Sequence, residues 1–184
     1  MTNIEKLLDV FGKQISIPWD PRAAPEEKVW FCVYDPSDER RLLRRIDEFG
    51  LATERAGHSW LLIDMFTFFD EWCTVHPYKE EFFKNPTRLK SAEKMFLQFI
   101  IERLSHQWDK DDNSKIIAIS GTGALFGIIR LSKLIEEIVR KLPIPGRLLV
   151  FFPGSHRGYC YQFMNDHDGW NYKAFPIEVK DEDE

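Results

Sequence analysis

Four short apolar runs constrain this chain more than any other feature: VWFCVY (29–34), SWLLIDM (59–65), IIAIS (116–120) and RLLVFF (147–152). None alternates apolar with polar residues, so each suits a strand covered on both faces. Between the runs, apolar residues recur at three and four, the spacing of helices. Buried strands separated by helices predict an α/β fold with a mostly parallel central sheet. Helices should flank it on both faces, giving the three-layer sandwich of nucleotide-binding proteins.

The helical segments carry their own signals. Ile4, Leu7, Leu8 and Phe11 share helical spacing within residues 2–13, and the proline-rich stretch IPWDPRAAPEEK after them reads as a connector. Over 35–49, Leu42, Leu43, Ile46 and Phe49 form an apolar stripe, with Arg40, Arg41, Arg44 and Arg45 crowded on the opposite side. Asp35 can cap this helix, Pro36 suits its first position, and Gly50 or Gly57 can stop it. An aromatic-rich helix holds Phe66, Phe69, Trp72 and Cys73 before Pro77. Further helices are expected over 78–84, near 88–108 and over 124–141, the last with Leu125, Ile128, Leu131, Leu134, Ile135 and Ile138 inward. Near the C-terminus, YCYQFM and WNYKAFPIEV flank NDHDG, whose Asp168-Gly169 pair predicts a β-hairpin.

The chain of 184 residues is one domain's length, expected over 1–180, followed by the acidic tail 181–184. Of the net charge of −5, Asp181, Glu182, Asp183 and Glu184 supply four. The preceding domain is therefore nearly neutral, and local basic patches stay open. No apolar run approaches the ~20 residues of a membrane-spanning helix. The acidic residues of MTNIEKLLDVFGKQ do not suit a signal peptide. Cys32, Cys73 and Cys160 cannot complete a disulfide framework and form no CxxC pair, which points to the reducing cytoplasm.

Ligands of α/β sheets usually bind beyond the carboxyl ends of the strands. SGTGALFG (120–127) follows the third strand there, so Gly121, Thr122 and Gly123 are candidates for an anion site. The same glycines equally serve turn geometry and close packing. ATP chemistry is not indicated: Gly121 to Gly127 is one residue too long for a Walker loop, and Ile128 stands where its lysine belongs. Asp35, Asp38 and Asp64 could gather around a divalent cation, or Asp35 and Asp64 could simply cap helices while Asp38 answers a helix dipole. His58, His76, His106, His156 and His167 show no zinc spacing, and PGSHRG is not the GxSxG of a hydrolase. The residues thus call for no cofactor, no metal and no catalytic activity.

Aromatic residues are in excess, with 6 Trp, 5 Tyr and 15 Phe. Aromatics and arginines favour interface cores. The candidate partner surface comprises Arg40, Arg41, Arg44, Arg45, Trp72, Trp108, Tyr159 and Tyr161. Glu48, four residues after Arg44, could instead neutralise the arginine face.

VWFCVYDPSDERRL, AGHSW with LLIDM, GTGALFG, RLLVFFPG and DGWNY occur in this order between residues 29 and 174. This ordered set resembles the BrxB family of bacterial BREX (bacteriophage exclusion) defence systems. The resemblance implies a small cytoplasmic component of a multi-protein machine whose other members include a methyltransferase, a large ATPase and the alkaline-phosphatase-like PglZ. It implies no catalytic residue, because the family has no established catalytic motif. The function expected is a non-enzymatic adaptor that binds another BREX protein, PglZ first among the candidates. The alternative is a divergent nucleotide- or nucleic-acid-binding domain without a Walker lysine. No membrane partner is expected.

Overall fold

The four apolar runs form β1 (Val29–Tyr34), β2 (Ser59–Asp64), β3 (Lys115–Ser120) and β4 (Arg147–Arg157). The computed structural model describes residues 1–85, 87–108, 110–164 and 169–180, apart from the side chains of Lys79, Phe83, Leu89 and Lys90. The main sheet runs β2-β3-β4-β1, with β7 (Phe175–Ile177) beyond β1, and every neighbouring pair along this path is parallel. Successive residues of each strand face opposite layers, as the pleat requires. Val29, Phe31 and Val33 of β1 enter one core; Trp30, Cys32 and Tyr34 enter the other.

The second of these cores is covered by α1 (Asn3–Ile15) and α2 (Glu39–Arg55) through Ile4, Leu7, Phe11, Leu42, Ile46 and Phe49. The first is covered by α3 (Met65–Val75), α6 (Glu93–Gln107) and α7 (Leu131–Lys141), while α4 (Lys79–Lys84) and α5 (Thr87–Ser91) link α3 to α6. The three-layer α/β/α fold is therefore present. Local chemistry fixes the helix starts. Thr2 and Glu5 exchange side-chain and backbone hydrogen bonds in a capping box on α1. The Asp35 carboxylate accepts the Ser37 N–H at 2.8 Å ahead of a 3-10 turn, Pro36–Asp38, that leads into α2.

Three departures from the sequence reading matter. The helix expected over 124–141 is two pieces: a 3-10 turn, Thr122–Leu125, and then α7, which begins only at Leu131. Gly127 between them has φ +80°, which no α-helix accommodates. The helix near 88–108 is likewise split into α5 and α6. Third, β4 continues well past Phe152 and pairs antiparallel with β5 (Cys160–Phe163), which pairs with β6 (Trp170–Asn171). The expected hairpin exists as β5–β6, although Asp168 of its turn lies outside the described residues, as does the acidic tail 181–184. α2 also passes through Gly50 and stops near Gly57, where the His58 N–H returns to the Thr53 carbonyl at 3.1 Å.

Candidate functional site

At the carboxyl end of the sheet, the loop after β3 is built against an anion. Gly121 has φ +68°, and a Cβ there would lie 2.2 Å from Asp64 Oδ1. The Asp64 carboxylate thus packs against the Gly121 backbone while accepting the Phe66 N–H at 3.0 Å as the cap of α3. Thr122 is fully buried and its hydroxyl donates to the Phe151 carbonyl at 2.9 Å. No α-helix begins here, so the dipole that would favour phosphate is missing as well. Beside the loop, the β4–β5 hairpin brings Met164 to 4.0 Å from the position of a Gly123 Cβ. Gly121 and Thr122 thus have clear parts in the turn and its packing: the first needs a left-handed backbone close to Asp64, and the second ties the turn to β4.

The three aspartates do not converge. Hydrogen bonds from Ser37 occupy Asp35 and hold its carboxyl below the usual carboxylate range. Asp38 is buried and accepts from Arg41 at 2.7 Å; Asp64 caps α3. Among the described residues, no group of three or more His, Cys, Asp or Glu could hold a metal ion. The histidines are similarly scattered. His58 stacks on Trp19, His76 packs beside Trp72 and Phe82, His106 is exposed, and His156 Nδ1 meets Glu178 at 3.0 Å; His167 lies outside the described residues.

The aromatic excess is mostly core. Trp72, Trp108 and Tyr161 are only 3%, 5% and 1% exposed, which corrects their candidacy as surface residues. The physical reason is that two cores, one on each side of the sheet, absorb more rings than a single layer could. Trp72 stacks on Phe82, the Trp108 indole donates to the Pro143 carbonyl, and the Tyr161 hydroxyl donates to Ala174 at 2.7 Å. Burial accordingly pushes the Tyr161 hydroxyl well above its ordinary range. Tyr159, at the tip of the β4–β5 hairpin, is 82% exposed.

The arginines divide into two pairs. Arg45 is held by Glu48 of its own helix and by Glu5 of α1 at 2.9 Å, so it clamps the two helices together. The hydrogen bond to Glu48 raises Arg45 further and lowers Glu48. Arg41 is bound to Asp38. Arg40 and Arg44, both exposed, have no ion pair among the described residues, because Glu48 turns to Arg45 and not to Arg44. With Asp47 and Leu51 they occupy one outward face of α2, beside exposed Leu43. Next to it, a groove of about 820 Å³ between α1 and α2 includes Leu8, Leu51 and Arg55. Leu43 and Leu51 escaped the sequence reading: Leu43 counts there toward the buried stripe, and Leu51 lies beyond the expected helix end.

A separate cleft of about 640 Å³ opens between the start of α7 and the β5–β6 hairpin, lined by Phe126, Phe163, Trp170 and Arg130. Among the described residues that line it, the one acid, Glu93, is held by Lys133 at 2.9 Å.

This geometry defines a three-layer α/β domain whose third strand leads into a 3-10 turn before any α-helix begins. The family model described as BREX protein BrxB matches residues 62–177, and the chain belongs to that family. It is thus a component of a BREX phage-defence system and works with other BREX proteins. The match begins within β2, so α1, β1 and α2 precede it. No curated protein and no solved structure matches the chain. Among the described residues, no helix is long and apolar enough to cross a membrane.

Proposed function

We propose that this protein is a non-enzymatic adaptor of its BREX system, and that it docks another BREX protein through the outward face of α2. One observation carries the reading: Arg40 and Arg44 stand exposed, without ion pairs among the described residues, beside exposed Leu43 and Leu51. Exposed cations set among apolar side chains suit a protein surface with matching carboxylates. Further support comes from the strand ends, the usual ligand position of α/β sheets, where Asp64 packs on Gly121 and the Thr122 hydroxyl is bound to Phe151. PglZ is the first candidate for the partner.

The test is affinity capture of the tagged chain from cells carrying the full defence operon. The wild-type chain should bring down PglZ, and the double variant Arg40→Glu, Arg44→Glu should lose it while keeping its circular dichroism and melting temperature. Undiminished capture by the double variant would remove the α2 face from the account. Recovery of DNA in place of a protein partner would replace the adaptor by a nucleic-acid-binding domain.

A further inference from the structure

The two edges of the main sheet are built differently. On one side, β7 has three residues and carries Pro176, which has no N–H to offer another strand. On the other side, β2 presents six residues, SWLLID, with neither proline nor lysine. Along the main sheet β2 pairs only with β3, so one row of its backbone donors and acceptors has no strand partner among the described residues. Five of its six residues are partly exposed, whereas all six of β1 are buried. A long, apolar, unblocked edge is a template for another strand.

We propose that β2 pairs antiparallel with β2 of a second copy of this chain, joining two sheets across a two-fold axis. The strand's own sequence selects this occupant. A two-fold axis normal to the sheet keeps each face continuous, so residues directly opposite must point to the same face and the axis must pass through a residue. Trp60 and Leu62 point to the α1/α2 core; Leu61 and Ile63 point to the other.

With Leu61 on the axis, Leu61 meets its copy, Trp60 lies opposite Leu62, and Ser59 lies opposite Ile63. With Leu62 on the axis, Trp60 would instead face Asp64. The first register sets Leu61 against Leu61 and Trp60 against Leu62, apolar pairs of the kind that stabilise a ladder, whereas the second sets Trp60 against a carboxylate. Phe66, 64% exposed directly after β2, extends the apolar margin of this edge. The proposal is independent of the adaptor reading, which uses α2.

Sedimentation equilibrium of the purified chain at micromolar concentration tests it. The wild-type chain should be a dimer. Leu61→Lys, which brings two ammonium groups together at the axis, should give a folded monomer by circular dichroism, and Phe175→Lys on the opposite edge should leave the dimer intact. Because Leu61 also packs on the core, Leu61→Cys supplies a second reading. Mild oxidation should form an intermolecular 61–61 disulfide, mapped by peptide mass spectrometry, much faster than Leu62→Cys forms a 62–62 one. A monomeric wild-type chain, a dimer indifferent to Leu61→Lys, or equal trapping at 61 and 62 would each overturn the proposal. A wild-type monomer whose capture of another BREX protein is abolished by Leu61→Lys would assign the edge to a foreign strand and also overturn it.

Discussion

The strand-end loop at Gly121–Gly123 and the outward face of α2 both looked like binding regions in the sequence, and they turn out to be opposites. At the loop, two side chains are engaged internally: Asp64 closes on Gly121 and caps α3, and Thr122 donates to Phe151. On α2, Arg40 and Arg44 have no ion pair among the described residues, and two leucines stay exposed. Buried, satisfied polar groups hold a fold together, whereas exposed, unsatisfied ones are available to a partner. Substitutions at the strand ends should therefore cost stability, and substitutions on α2 should cost binding.

The largest effect is expected at Phe152, which is fully buried and packs on Phe31, Tyr161 and Phe163 where sheet and hairpin meet. Phe152→Ala should cost about 3–5 kcal/mol, read by chemical denaturation. A loss below about 1 kcal/mol would mean that the strand ends are not packed as described. Gly121→Ala comes next, because a side chain there is strained at φ +68° and strikes the Asp64 carboxylate. About 2 kcal/mol should be lost, with a lower melting temperature. A neutral result would reopen the loop as a site with room for a ligand.

Thr122→Val keeps the shape but leaves the Phe151 carbonyl without its donor, at a cost of about 1–2 kcal/mol. Partner capture by the surviving folded protein should be unchanged. Weaker still is the clamp between α1 and α2. Hydrogen bonds hold Glu5 and Glu48 below the usual carboxylate range, Glu5 chiefly through Thr2 and Glu48 through Arg45. At pH values near the ordinary carboxylate range, the folded chain binds fewer protons than the unfolded one, so their contribution fades as pH falls through the depressed values. Being exposed, the pair should show only a small loss of melting temperature on acidification, and Arg45→Ala should flatten it. A steeper acid response in Arg45→Ala would contradict the clamp.

Most of the architecture was legible because its signals are local. The unalternating run VWFCVY became a strand buried on both faces, while SWLLID became a partly exposed edge strand, and the helical stripes between the runs fixed the layers. Less legible were features decided by distant contacts. The break before α7 depends on Gly127, whose backbone conformation is a tertiary outcome. Likewise β4 extends beyond Phe152 because β5 offers it a partner. For the candidate site, arginine spacing revealed the cluster but not which members are paired, since Arg45 finds Glu5 on another helix. Aromatic abundance misled at Trp72, Trp108 and Tyr161, because composition cannot register that a sheet buries rings on both sides. Exposed Leu51 was hidden by placing the helix end too early.

The most direct measurement is the affinity of purified PglZ for three forms of this chain, by titration calorimetry: wild type, Thr122→Val, and Arg40→Glu with Arg44→Glu. The account predicts that wild type and Thr122→Val bind alike. The double arginine variant should bind at least roughly tenfold more weakly, a loss of about 1.4 kcal/mol, with its melting temperature unchanged. Equal binding by the arginine variant, or binding lost in Thr122→Val alone, would contradict it.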